Sequence, residues 1–140
     1  MDSVRPGAAH LNDEAFMEAF ETCRLPTAQF RHADHVRLAW IYLGQSDLQA
    51  ATERMEQAIL RFAEHNGVLT KYHRTITVAW MRLVAAARNA TPHAARFEEF
   101  LALHPELLDV KNLSHYYTSV RLAAAESRAG WLEPDIRDLP

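Results

Sequence analysis

At 140 residues, with 49% hydrophobic residues and a formal net charge of −3, the chain has the size and composition of one globular domain with a core of its own, so a bound metal would be functional rather than a structural staple. The slight acidity excludes a general attraction to nucleic acid, and the single cysteine, Cys23, excludes an intrachain disulfide or a thiolate cluster and points to a reducing cytoplasm. The N-terminus carries no secretory apolar run, and the most apolar stretch, LAWIYLG, is too short to span a bilayer, so no membrane partner is expected.

Residues 1–11 contain Pro6 and Gly7 without periodicity and read as a flexible lead, followed by a single helical domain over 12–140. Phe16, Ala19, Phe20 and Cys23 recur at helical spacing behind a cap at Asn12 or Asp13, predicting a first amphipathic helix that ends before Pro26. A second runs from His32 or Asp34 to Leu43, stopped by Gly44, with Val36, Ala39, Trp40 and Leu43 inward and Ile41 and Tyr42 making it apolar nearly all round. The third starts after Ser46 or Asp47, carries Leu48, Ala51, Met55, Ile59 and Phe62 on one stripe, and stops at Asn66-Gly67.

A fourth helix spans Tyr72 to Arg88 with Ile76, Trp80, Leu83, Val84 and Ala87 as its core stripe. Thr91-Pro92 reads as an N-cap and N1 proline opening a fifth helix with Phe97, Phe100 and Leu101, which fades at His104-Pro105 before a short turn from Glu106 to Asp109. The sixth covers Ser114 to Arg128, burying Tyr116, Tyr117, Val120, Ala123 and Ala124, with Gly130 as its stop. Two prolines keep GWLEPDIRDLP from being helical throughout, so Trp131 and Ile136 are expected to pin an extended tail onto the bundle. The fold class is therefore all-α, a single-domain bundle of about six helices with an extended C-terminal tail.

His32, His35 and His73 are the most informative residues. At 100° per residue His32 and His35 lie about 60° apart and flank the inward direction of the second helix, while His73 falls near the centre of the fourth helix's stripe, one turn below Thr77. Side-by-side packing would bring three neutral nitrogen ligands together with an open fourth position, suiting a divalent metal such as zinc, iron or copper. No Asp or Glu lies on an inward stripe, Asp34 and Glu64 reading as outward or capping, so a two-histidine, one-carboxylate triad is not evident. Lys71 and Arg74 flank His73 and Arg31 flanks His32, giving a basic mouth suited to a carboxylate or phosphate substrate. Tyr72 and Glu133 are the candidate proton carriers, and Trp40 and Trp80 would wall an apolar pocket. His10, His65, His93, His104 and His115 lie at loops, helix ends or an exposed face and are not expected as ligands. The competing reading makes every histidine a hydrogen-bonded structural residue.

No Walker loop, GxSxG, HExxH or dinucleotide fingerprint is present, so no nucleotide cofactor is expected. HADHVRLAWIYL resembles the opening helix of HD-domain metalloenzymes, but Asp34-His35 stands where that family needs His-Asp and its later ligands are absent, so none of its residues is carried over. The pairing of FRHADHVRLAW with KYHRTITVAW and a WLEPDIRDLP ending resembles a family of small all-helical bacterial proteins that carries no assigned activity. The leading expectation is a small enzyme of small-molecule metabolism using His32, His35 and His73, with a metal, on an anionic organic substrate. The alternatives are a metal-free acid–base isomerase, cyclase or lyase working through His35 and His73, and a helical accessory protein with structural histidines. Self-association is compatible with all three.

Overall fold

The computed structural model describes residues 6–140, and the regular structure of these residues is helical: seven α-helices joined by 3-10 turns, with no strand among them. The all-α class is as expected. The described residues fall into two compact units, one ending at Tyr72 and the other running His73–Pro140. Among the described residues no helix is long and apolar enough to cross a membrane.

The first unit holds α1 (Asp13–Glu21), α2 (His32–Leu43) and α3 (Leu48–His65), with α3 packed on both of the others. Local capping chemistry sets its boundaries. The Asn12 and Asp47 side chains accept the backbone N–H of Ala15 and Ala50, each at 2.8 Å, opening α1 and α3. Gly44 caps α2, and Gly67, at φ 69°, follows the end of α3. α1 ends earlier than its apolar pattern suggests, because Cys23 takes a left-handed φ of 60° and turns the chain. Phe20, fully buried, stacks on Phe30 at 4.4 Å and on Phe62 at 4.5 Å, an aromatic cluster that joins α1 and α3 to the approach of α2.

α2 departs most from an amphipathic helix: Ala33 and Asp34 and every residue from Val36 to Tyr42 are buried, charged Asp34 and Arg37 included. Asp34 therefore caps, as expected, but points inward. Its carboxylate accepts three backbone N–H groups, from Gly7 at 2.6 Å, Ala8 at 2.9 Å and Arg31 at 3.0 Å. Arg37 completes the arrangement, binding the carbonyls of Ala8 and Leu11, pairing with Asp13 at 2.9 Å and lying over the Phe16 ring. Gly7 and Ala8, read from sequence as part of a flexible lead, are thus held by α2, and Ala8 is fully buried. Gly7 approaches so closely that a Cβ there would meet the Gln29 carbonyl oxygen at 2.5 Å.

The second unit holds α4 (Arg74–Ala90), α5 (Phe97–Leu103), α6 (Ser119–Ala123) and α7 (Ala125–Ala129), with α4 packed on α7. Trp80, Leu83, Val84 and Ala87 are buried along α4 as the periodicity predicts. Thr91 closes α4 instead of opening α5: its hydroxyl bonds back to the Ala87 carbonyl at 2.9 Å and meets His104 Nε2 at 2.9 Å. The single sixth helix expected over Ser114 to Arg128 is replaced by a 3-10 turn (Val110–His115) and two short helices, with Val120 81% exposed and Ala123 also exposed. Thr118 caps α6 while Asp135 takes both its N–H and its hydroxyl, and Ala124 is extended between α6 and α7. Beyond α7, Thr75 bonds Gly130 and Leu132, Tyr117 bonds the Leu132 carbonyl, and Ile136 bonds the Tyr116 carbonyl.

Replacing Asp34 by alanine strands three N–H donors, two of them on the segment before α1. Hydrogen bonds to a charged acceptor each contribute about 1.5–3 kcal/mol, so Asp34→Ala should lower the unfolding free energy by about 3 kcal/mol or more in urea titrations. Hydrogen-exchange protection at Gly7 and Ala8 should vanish with it. Arg24→Ala, which removes an exposed pair with Glu18, should change stability by less than about 1 kcal/mol.

Candidate functional site

His32 and His35 sit in the first turn of α2, and their neighbours follow from its start. Arg31 is the N-cap residue, which places Phe30 before the cap and His35 four positions after it. Those are the two positions of a hydrophobic staple, and the rings of Phe30 and His35 lie 6.0 Å apart at an interplanar angle of 27°. Phe30 also abuts Phe20 and Phe62, so the imidazole borders an aromatic cluster. His35 as a whole is only half-buried, but its Nε2 is cut off from solvent and has no hydrogen-bond partner among the described residues. Burial, with the charge of neighbouring His32 as a smaller cause, lowers its pKa from 6.5 to about 4. The ring is neutral at pH 7.

His73 is placed differently from its predicted position on the α4 stripe: it is the N-cap residue, and its ring is fully committed. Nδ1 accepts the Ile76 N–H at 3.1 Å, so in the neutral ring the hydrogen is on Nε2, which donates to the Leu122 carbonyl at 2.7 Å. No lone pair remains for a metal. Ser127, a residue the sequence pattern did not single out, lies with its hydroxyl 3.2 Å from the same Nε2, in the spacing of a serine–histidine dyad. The tautomer rules that chemistry out, since a protonated Nε2 takes no proton from a hydroxyl. Ser127 instead donates to the carbonyls of α6 and of the extended residue after it, Leu122 at 2.8 Å and Ala124 at 2.7 Å. A serine inside an apparently continuous helical pattern gave no sign of this role.

The remaining predicted site residues divide between the two units. Trp40 is buried in α2, Lys71 is exposed, and half-buried Tyr72 closes the 3-10 turn Leu69–Lys71 in the first. In the second, Arg74 is the exposed first residue of α4, Trp80 is core, and exposed Glu133 accepts the Trp131 indole N–H at 3.1 Å. Tyr117, near Glu133, has its pKa raised to about 12, first by burial and then by that carboxylate. Among the described residues no three of His, Cys, Asp or Glu are placed to hold a metal ion. The expected trio of His32, His35 and His73 thus does not fit a resident metal, because His73 has spent both nitrogens on the fold. No family model matches the chain, and no curated protein or solved structure matches it.

His35 titrates at 6.5 in an unfolded chain but at about 4 in the folded one, so the unfolded state binds the proton more readily in between. The stability tied to the neutral ring is complete above pH 6.5 and is lost as the pH falls toward 4, a span worth about 3 kcal/mol. Substituting His35→Phe keeps an aromatic staple and removes the titration. Urea unfolding at pH 7.5 and 4.5 should show the variant gaining about 2.5 kcal/mol on the parent at the lower pH.

Proposed function

We propose that this protein is a metal-free acid–base enzyme that acts on a small anionic organic molecule, with His35 as its neutral hydrogen-bonding and proton-carrying group. The observation that carries this reading is the Nε2 of His35, shielded from water yet without a partner among the described residues. An unmade hydrogen bond at a buried polar atom costs about 1–3 kcal/mol, and such exceptions concentrate where chemistry needs an uncommitted group.

At rest the ring is too weak a base for efficient proton transfer near neutrality. A carboxylate or phosphate brought against it favours the charged form and raises its pKa toward the working range. Binding of the substrate would thus prepare the group that handles its proton. Burial, and to a smaller degree half-buried His32 on the same turn, holds the pKa down while the site is empty.

His73 supports the second reading, a helical interaction protein whose histidines are structural, because its ring serves only to cap α4 and tie down Leu122. The two separate in one experiment. Thermal melts against a panel of small carboxylates and phosphates should find a compound that raises the melting temperature of the parent by mass action, with affinity rising as the pH falls from 7.5 to 5.5. His35→Asn should abolish both the shift and its pH dependence. A panel without stabilising compounds, with His35→Phe more stable than the parent at every pH, would leave the interaction protein as the better account.

A further inference from the structure

A second site lies in the first unit, away from the His35 ring in chemistry and independent of the reading above. Glu21, the last residue of α1, and Arg54, Gln57, Ala58 and Arg61 of α3 line a cavity of about 230 Å³. The four α3 residues recur at the spacing of one helix face, and buried Ala58 contributes only a methyl group to the lining.

Its two guanidinium groups are in different states. Arg54 is spent: Nε and Nη2 hold Glu21 Oε2 at 3.0 and 2.9 Å, Nη1 holds Gln45 at 2.5 Å, and the group lies over the Tyr42 ring. Arg61 makes a single long bond, Nη1 to the Glu21 backbone carbonyl at 3.3 Å, and the rest of its donor fork has no hydrogen-bond partner among the described residues. Glu21 is likewise half used. Its Oε2 takes both Arg54 contacts and the Tyr42 hydroxyl at 2.5 Å, while Oε1 takes none of them.

The cavity therefore offers one available cationic fork and one available carboxylate oxygen, the latter beside the C-terminal end of α1, whose carbonyls favour positive charge. We propose that it binds a small zwitterion of the α-amino-acid type. The ligand's carboxylate meets Arg61 and the Gln57 amide, and its ammonium meets Glu21 Oε1. At about 30 Å³ per water displaced, the space suits a molecule of that size. Tyr42, whose pKa is raised by burial and by Glu21, stays protonated and keeps the carboxylate in place.

L-alanine titrated into the ¹⁵N-labelled protein at pH 7 should move the Arg61 Nε–H and Gln57 amide signals saturably. Acetate, lacking the ammonium, and ethylammonium, lacking the carboxylate, should each bind about tenfold more weakly or worse. Arg61→Gln and Gln57→Glu, both at exposed positions, should weaken L-alanine binding by about tenfold, and Arg24→Gln should not. Acetate binding as tightly as L-alanine, a response unchanged in Gln57→Glu, or no saturation at 50 mM would each overturn the proposal.

Discussion

A buried carboxylate with no freedom to be left unpaired organises the first unit. Asp34 is fully enclosed, and an isolated charge in such a place would be prohibitive, so its three backbone donors must stay where they are. That requirement fixes the first turn of α2, and with it the chain before α1 and the positions of His32 and His35. Arg37, one turn along, gathers the carbonyls the same segment presents, so both polarities of one backbone stretch are satisfied by a single helix. The staple between Phe30 and His35 is a consequence: once Arg31 is held at the cap, the residues on either side are brought together.

The second unit solves its helix-start problem with a ring instead of a carboxylate. His73 accepts at one nitrogen and donates at the other, so it caps α4 and anchors the end of α6 at once. Two histidines that look alike on a helical wheel therefore carry opposite chemistry. The ring of His73 is consumed by the fold, whereas His35 keeps a nitrogen that the fold does not use.

Much of this was legible because it is local. Asn12, Asp47, Gly44 and Asn66-Gly67 act on backbone groups within a few residues, and each lies where capping rules expect it. Thr91 misled because a threonine can close the helix before it as readily as open the one after, and its partner His104 lies 13 residues on. The breaks on either side of α6 were hidden for the same reason: Asp135 takes the Thr118 N–H before it, and His73, far upstream, takes the Leu122 carbonyl near its end. Charge on α2 was hardest. Asp34 reads from sequence as outward or capping, and its burial, like that of Arg37, depends on partners 24 to 29 residues upstream as well as on the Arg31 N–H.

Periodicity singled out His32, His35 and His73 but could not assign their hydrogen-bonding state, which is a property of neighbours. A helical wheel counts His73 as inward and stops there; the Ile76 N–H and Leu122 carbonyl decide what the ring can do. The staple at Phe30 and His35 was readable in principle from an aromatic residue just before the cap. The account rests on His35 being an uncommitted neutral imidazole, and nitrogen-detected NMR of the histidine rings across pH 3 to 8 tests that most directly. It predicts that His35 protonates near pH 4, with its Nε2 showing no hydrogen bond to the protein. Protonation near 6.5, or a scalar coupling from Nε2 to a protein group, would contradict it.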